Sequence, residues 1–281
     1  MNPLESNRLL VVYVWGVPLA FPFLSGLIAG RASNIDLDTW IEAAVLTIFA
    51  VWLWDRYGES LVRQMGWVGT SLGDVVRLGA PTIAAILALD IAAGALLPAQ
   101  LRTPYVPLFE GCGPTATVAV IADVVALAPI IEEWLFRGFL LHSFDRARGG
   151  AFALWATSVV FALLHSGIQP LMGALLMGWM LGRWVLAGGS LKAAFWVHLA
   201  NNALAVLTAP DLSFSGAAQG RTSPAAALAL LAVALAIVVL FNRRHPLPAE
   251  RPGRPAPVFS LSLGFVIFTG VFAQWAALHV R

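Results

Sequence analysis

The stretch ATVAVIADVVALAPIIEEWLFRGFLL, Ala116 to Leu141, sets two adjacent carboxylates, Glu132 and Glu133, together with Arg137 inside an otherwise apolar run. An apolar run of about 20 residues reads as a transmembrane helix. Charge at the centre of a bilayer costs ~2.5 to 3.5 kcal/mol on insertion scales, so a paired site of this kind marks a functional candidate. On a regular helix Glu133 faces Arg137 one turn on, in the favoured orientation for an ion pair, while Glu132 points about 100° away. The expectation is a structural pair beside one carboxylate left for proton chemistry.

The rest of the chain agrees with a membrane setting. Of its 281 residues 59% are hydrophobic and only 11% charged, with a mean hydropathy of +0.80. Further apolar runs occur at Leu9 to Ala29, Leu37 to Trp54, Val75 to Leu97, Ala151 to His165, Pro170 to Leu186, Leu191 to Thr208, Ala225 to Phe241 and Val258 to Val280. The expected fold is all-α: a polytopic transmembrane helical bundle of about nine spans, forming a single integral membrane domain over 1–281. Helices are required because backbone polar groups find no water in hydrocarbon. The first run is too long for a signal peptide and is expected to stay.

Basic residues alternate with this count. With the N-terminus inside, 12 of the 17 fall on the cytoplasmic side, Arg31, Arg102, Arg221 and Arg281 fall outside, and Arg137 lies within a span. The C-terminus is then outside. Asp55 to Asp74, which mixes charged with apolar residues, reads as one cytoplasmic interfacial segment. Five prolines between Arg244 and Val258 read as a stiff linker. The net charge of +2 follows from topology, and a nucleic-acid partner is not expected. Cys112, the single cysteine, cannot form an intrachain disulfide and reads as a neutral loop thiol.

Two more apolar runs carry histidine: His165 ends the fifth, and His198 lies in the seventh with Asn202 four residues later, on the same helix face. A lone histidine in a helix is more often a core residue bonded to a carbonyl. An acid, a His, and a His with Asn on three neighbouring helices reverse that preference. Asp90 and Asp123 read as interhelical hydrogen-bonding or capping groups at least as readily as path-lining ones, and Gly178 with Gly182 as a close-packing pair.

These residues resemble the signature of the CAAX-processing and bacteriocin-processing (CPBP) family of intramembrane proteases: Glu-Glu-x-x-x-Arg, then Phe-x-x-x-His, then His-x-x-x-Asn. Glu132, Glu133 and Arg137, then Phe161 and His165, then His198 and Asn202 supply every position, with Phe136 and Gly138 matching the extended form. The resemblance spans roughly 116–208. It implies an endopeptidase of the glutamic type acting on a membrane-anchored protein or peptide near its C-terminus. In it Glu132 and His165 activate water, and His198 with Asn202 stabilise the oxyanion, while Glu133, Arg137 and Phe161 support the site.

No cofactor is expected. Zinc is the weaker reading because no H-E-x-x-H helix is present. A proton-coupled transporter using the same Glu and His residues is the rival class; it would need repeated broken helices in two halves, and the sequence shows no such symmetry. The alanine-rich composition points to a bacterial cell (inner) membrane. Substrate identity, prenyl dependence and oligomeric state are not encoded legibly.

Overall fold

A computed structural model describes residues 2–20, 24, 35–98, 101–102, 112–165, 167–208, 222–248 and 256–279. The regular structure among these residues is helical with no strand, as the apolar runs required. The elements are α1 (Pro3–Val11, continued by a π turn Val12–Gly16), α2 (Ile35–Gln64), α3 (Leu72–Leu96) and α4 (Pro114–Arg148). They are followed by α5 (Gly150–Leu163), α6 (Ile168–Leu186), α7 (Leu191–Thr208), α8 (Pro224–Arg244) and α9 (Leu261–His279). Each apolar run falls on one helix, except that the second half of the first run lies largely outside the described residues.

By length and composition α2, α3, α4 and α8 can cross a membrane, and α5, α7 and α9 are shorter apolar helices. Their outer surfaces suit lipid: Leu228, Val233, Leu235 and Leu240 on α8 and Phe268, Phe272 and Trp275 on α9 are exposed. A continuous apolar wall of this kind would promote aggregation in water and is the normal surface in a bilayer. This is an all-helical membrane protein.

Asp55 to Asp74 is not a span of its own. Through Gln64 it completes α2, whose 30 residues rise roughly 45 Å, more than the ~30 Å of hydrocarbon. The charged turns at Asp55, Arg56, Glu59 and Arg63 can therefore project past the apolar layer. A non-helical link then leads to Ser71, which caps α3 through a reciprocal bond pair with Asp74.

Helix α4 is the axis of the site, and α1, α2, α5 and α7 all pack on it. It is not a uniform α-helix. π turns occupy Asp123–Leu127 and Glu133–Leu140, and such turns leave carbonyls without their usual partners. Side chains serve several of these. Asn202 Nδ2 donates to the Val124 carbonyl (2.9 Å), and Pro129 has no N–H to offer one π step ahead of Val124. Ser6 Oγ reaches the Phe139 carbonyl (3.4 Å), and His142 Nδ1 meets those of Arg137 (2.8 Å) and Gly138 (2.9 Å). Gly149, at φ 86°, lets the chain reverse from α4 into α5.

Packing between α5 and α6 depends on absent side chains. A Cβ on Gly178 would stand 3.1 Å from Ser158 Cα, and one on Gly182 3.0 Å from Leu154 Cδ1. The small-xxx-small pair packs the two helices closely, as its spacing suggested. Trp134 stacks on Trp54 (5.5 Å) and meets Trp67 edge-on (5.5 Å), which fastens α4 to α2 and to the link after it.

Candidate active site

Glu133 and Arg137 are buried inside the bundle and joined, Nη1 to Oε1, at 2.8 Å. The spacing pair is therefore present, but it is not closed on itself. The same Oε1 lies 2.8 Å from His198 Nδ1, so one carboxylate oxygen holds both a guanidinium and an imidazole. Glu133 Oε2 and Arg137 Nη2 are buried without a protein hydrogen-bond partner. Arg137 also lies 4.2 Å above the Phe161 ring, where a cation gains from the ring's negative face.

Glu132 is more open than its neighbour, with 17% of its side chain exposed. Its Oε1 accepts from Tyr13 Oη at 3.0 Å, and its Oε2 lies 3.7 Å from His198 Nε2. His198 thus stands between both carboxylates. That differs from the simple helical-wheel expectation, in which the two glutamates part company. Imidazole chemistry then follows from Glu133: with Nδ1–H donated to a carboxylate, Nε2 carries a lone pair in the neutral ring and a proton in the imidazolium.

Asn202 lies one turn beyond His198 on α7. Its Nδ2 is committed to the Val124 carbonyl, and its Oδ1 is 3.5 Å from Asn201 Nδ2. The carboxamide has a second N–H, so the anchoring bond fixes the group without consuming both donors.

His165 sits at the end of α5. Its Nδ1 lies 2.9 Å from the Phe161 carbonyl, which leaves Nε2 as the lone-pair nitrogen of the neutral ring. The Phe161 ring is the common neighbour, 4.7 Å from His165 and 5.9 Å from His198, with Phe136 edge-on at 5.1 Å. No hydrogen bond joins His165 to Glu132 directly. The fully buried Phe161 instead sets the spacing between the two imidazoles and the cation.

Two groups outside the motif also touch this set. Tyr13 comes from α1. Gln274, from α9, accepts from the Gly167 N–H (3.0 Å) and donates to the His165 carbonyl, clasping the turn between α5 and α6. Gly167, at φ 97°, provides the backbone shape of that turn. Neither residue belongs to a motif. The usable signal was a polar group isolated in an apolar run, the same signal that marked Glu132.

Asp123 and Asp90 stand elsewhere. Asp90 Oδ1 accepts from Gln169 Nε2 at 2.6 Å, an interhelical bond between α3 and α6. Asp123 is buried in the first π turn of α4 with its electrostatic neighbour Glu42 on α2.

Residues 114–204 match the family model for type II CAAX prenyl endopeptidase Rce1-like proteins. Over that segment the chain is similar to Rce1-like proteins. That family is one of proteases, so the match supports a hydrolase of the intramembrane CAAX-type group that the motifs resemble. The matched segment runs from the start of α4 into α7 and contains Glu132, Glu133, Arg137, Phe161, His165, His198 and Asn202. No curated protein and no solved structure matches the chain.

Among the described residues, Glu132, Glu133 and His198 stand together, and no group of three or more His, Cys, Asp or Glu is placed to hold a metal ion. Glu133 Oε1 and His198 Nδ1 already hold each other, which a shared metal would have to break.

Proposed function

We propose that this protein is a multi-pass endopeptidase of a cell membrane that hydrolyses a peptide bond near the C-terminus of a membrane-anchored protein or peptide, using water activated by Glu132 and His165. The observation that carries this reading is the arrangement of His198, held by Glu133 at Nδ1 and turned toward Glu132 at Nε2. A carboxylate and an oriented imidazole then face one small volume within the bundle.

In this reading water sits against Glu132 and His165. As its oxygen attacks the scissile carbonyl, its proton passes to Glu132, and the carbonyl π electrons move onto oxygen. The oxyanion is met by His198 as an imidazolium, with Nε2–H donating, and by the free N–H of Asn202. Glu133 balances the charge on the ring from the other side. Collapse of the tetrahedral intermediate breaks the C–N bond, and Glu132 returns the proton to the departing amine. Each oxyanion donor of this sort is worth ~2.7 to 4 kcal/mol in comparable acyl-transfer sites.

Nine spans, an inside N-terminus and an outside C-terminus accompany this proposal. The structure is consistent with alternating helices: the start of α7 meets the link before α3 through Leu191 N–H to the Gly66 carbonyl (2.9 Å), as two cytoplasmic loops should. Water chemistry without a metal is the preferred mechanism. Activity should survive dialysis against a strong chelator; loss on chelation with recovery on adding zinc would replace this mechanism with a metal-dependent one.

The decisive test is Glu132→Gln in the full chain, in nanodiscs, with a fluorogenic farnesylated CAAX-type peptide as probe, and in cells by comparing C-termini of membrane proteins. The variant should keep its thermal stability and lose all measurable cleavage and all enzyme-dependent termini. Turnover near the wild-type rate would refute the role of Glu132.

A further inference from the structure

The motif residues leave one bond to Glu132 unexplained. Tyr13 Oη donates to Glu132 Oε1 at 3.0 Å across 119 positions of sequence, from a helix that precedes the Rce1-like segment. A hydroxyl in an apolar bundle is costly unless paired, and this one has the carboxylate as its partner. Its ring is steadied by Phe49 of α2, stacked at 6.2 Å with 16° between planes. The π turn Val12–Gly16 carries it, in the same way that π turns carry the working face of α4.

We propose that Tyr13 is a positioning residue for Glu132, so that α1 completes the catalytic site. This rests on the role assigned to Glu132 above. A carboxylate with one free oxygen could rotate about its terminal bond, which is a soft, two-fold torsion. The phenol fixes Oε1 and thereby leaves Oε2 on the His198 side, 3.7 Å from Nε2.

Among the described residues, the other charged or titratable groups that meet Glu132 or Tyr13 are Glu133 and Arg137 on the helix of Glu132, His198 on α7 and Glu42 on α2. All remain in Tyr13→Phe, so a change at Glu132 reports the lost hydroxyl.

Two readouts on the full chain in nanodiscs test this. The first needs no substrate: infrared difference spectroscopy, each protein referenced to its Glu132→Gln counterpart, follows the carboxyl stretching bands of Glu132. The second is hydrolysis of the farnesylated CAAX-type peptide. Tyr13→Phe should shift those bands and lower kcat roughly tenfold or more with little change in KM. A fluorinated tyrosine at position 13, a stronger donor that keeps the ring, should shift the bands in the opposite direction; this arm also decides the matter if Tyr13→Phe does not fold.

Unchanged bands and unchanged kcat in both variants would overturn the proposal and make the bond mere helix-to-helix attachment. A fall in Tm with no change in the bands would overturn it equally. Those outcomes differ from failure of the proposed function, which would show as cleavage by Glu132→Gln.

Discussion

Helices α8 and α9 are both apolar, both follow the Rce1-like segment, and treat the site in opposite ways. α8 lies chiefly on α3 and presents only alanine and large aliphatic side chains from Ala225 to Leu240; Asn242, past that run, accepts from Arg183 Nη2 through its carbonyl (3.1 Å). α9 lies on α1 and α5 and keeps Thr269, Gly270 and Gln274 within its apolar length. Thr269 Oγ1 meets Trp15 Nε1 at 2.9 Å, Gly270 presses on Leu163, and Gln274 clasps the His165 turn. Helix length and hydropathy do not separate a wall from a functional support. Isolated polar or small residues do, because in hydrocarbon each polar group must find a partner and each missing side chain permits a close approach.

The largest effect should come from the core that both flanks surround. Glu133→Gln removes the charge opposing Arg137 where both side chains are buried, and breaking a buried pair costs ~3 to 5 kcal/mol. It also weakens the hold on His198, so activity should collapse along with Tm. Arg137→Met should lower stability comparably yet keep the Glu133–His198 bond, and should retain more activity per folded molecule. Thermal unfolding and cleavage of the farnesylated peptide, measured on both, check the difference. Equal residual activity would show that Glu133 serves the pair with Arg137 and does not orient His198.

Next in size is the α9 contact. A Cβ at Gly270 would stand 2.7 Å from Leu163 Cβ and 2.9 Å from the Leu163 carbonyl oxygen, so Gly270→Val must push α9 off the end of α5. Overpacking of this kind costs ~1 to 3 kcal/mol. Activity should fall with stability. Leu235→Ala on α8, at an exposed, lipid-facing position, is the matched control and should change neither. If both substitutions behave alike, the contrast between the helices is wrong.

Gln274→Leu sharpens the comparison without crowding. It strands the Gly167 N–H and the His165 carbonyl, a loss of about 1 to 3 kcal/mol if water does not replace the side chain. The expected signature is a lower kcat with a smaller fall in Tm than in Gly270→Val. Rescue by Gln274→Glu is not expected, because a carboxylate has no N–H for the His165 carbonyl. A variant with full activity would reduce α9 to packing.

How much of this was readable in sequence depends on whether the cause is local. The apolar runs are local, and they located the helices. Glu133 with Arg137 is an i, i+4 relation, and the pair is present. The sharing of His198 by Glu132 and Glu133 was not readable, because a wheel at 100° per residue assumes a regular α-helix and α4 carries π turns at Asp123–Leu127 and Glu133–Leu140. Pro129 lies between those turns, but no spacing rule converts one proline into a π turn. Asn202 looked like a free oxyanion donor; that one of its N–H groups serves Val124 follows only once α4 and α7 are packed. Tyr13 and Gln274 belong to no local pattern, and the first half of the segment Asp55 to Asp74, through Gln64, joined α2 because helix continuation outweighed its change in composition.

The smallest expected effect lies at the α8 end of the molecule, at His245, just past that helix. Its ring sits between Trp184 (5.2 Å) and Phe241 (4.4 Å), and burial followed by the nearby Arg183, Arg244 and Arg77 lowers its pKa below the usual histidine value. The folded state therefore binds this proton less readily than the unfolded chain. The stability it contributes is present above about pH 6.5, the unfolded value, and is lost as pH falls through the lower folded pKa. His245→Gln should make Tm less sensitive to pH across that window, while cleavage activity per folded molecule stays the same, because its ring contacts are to Trp184 and Phe241 and not to Glu132 or His198. The measurement is Tm from pH 8 down to 5 on both proteins, with peptide hydrolysis alongside. An activity change matching the Tm change would connect the α8 end to the site and erase the contrast with α9.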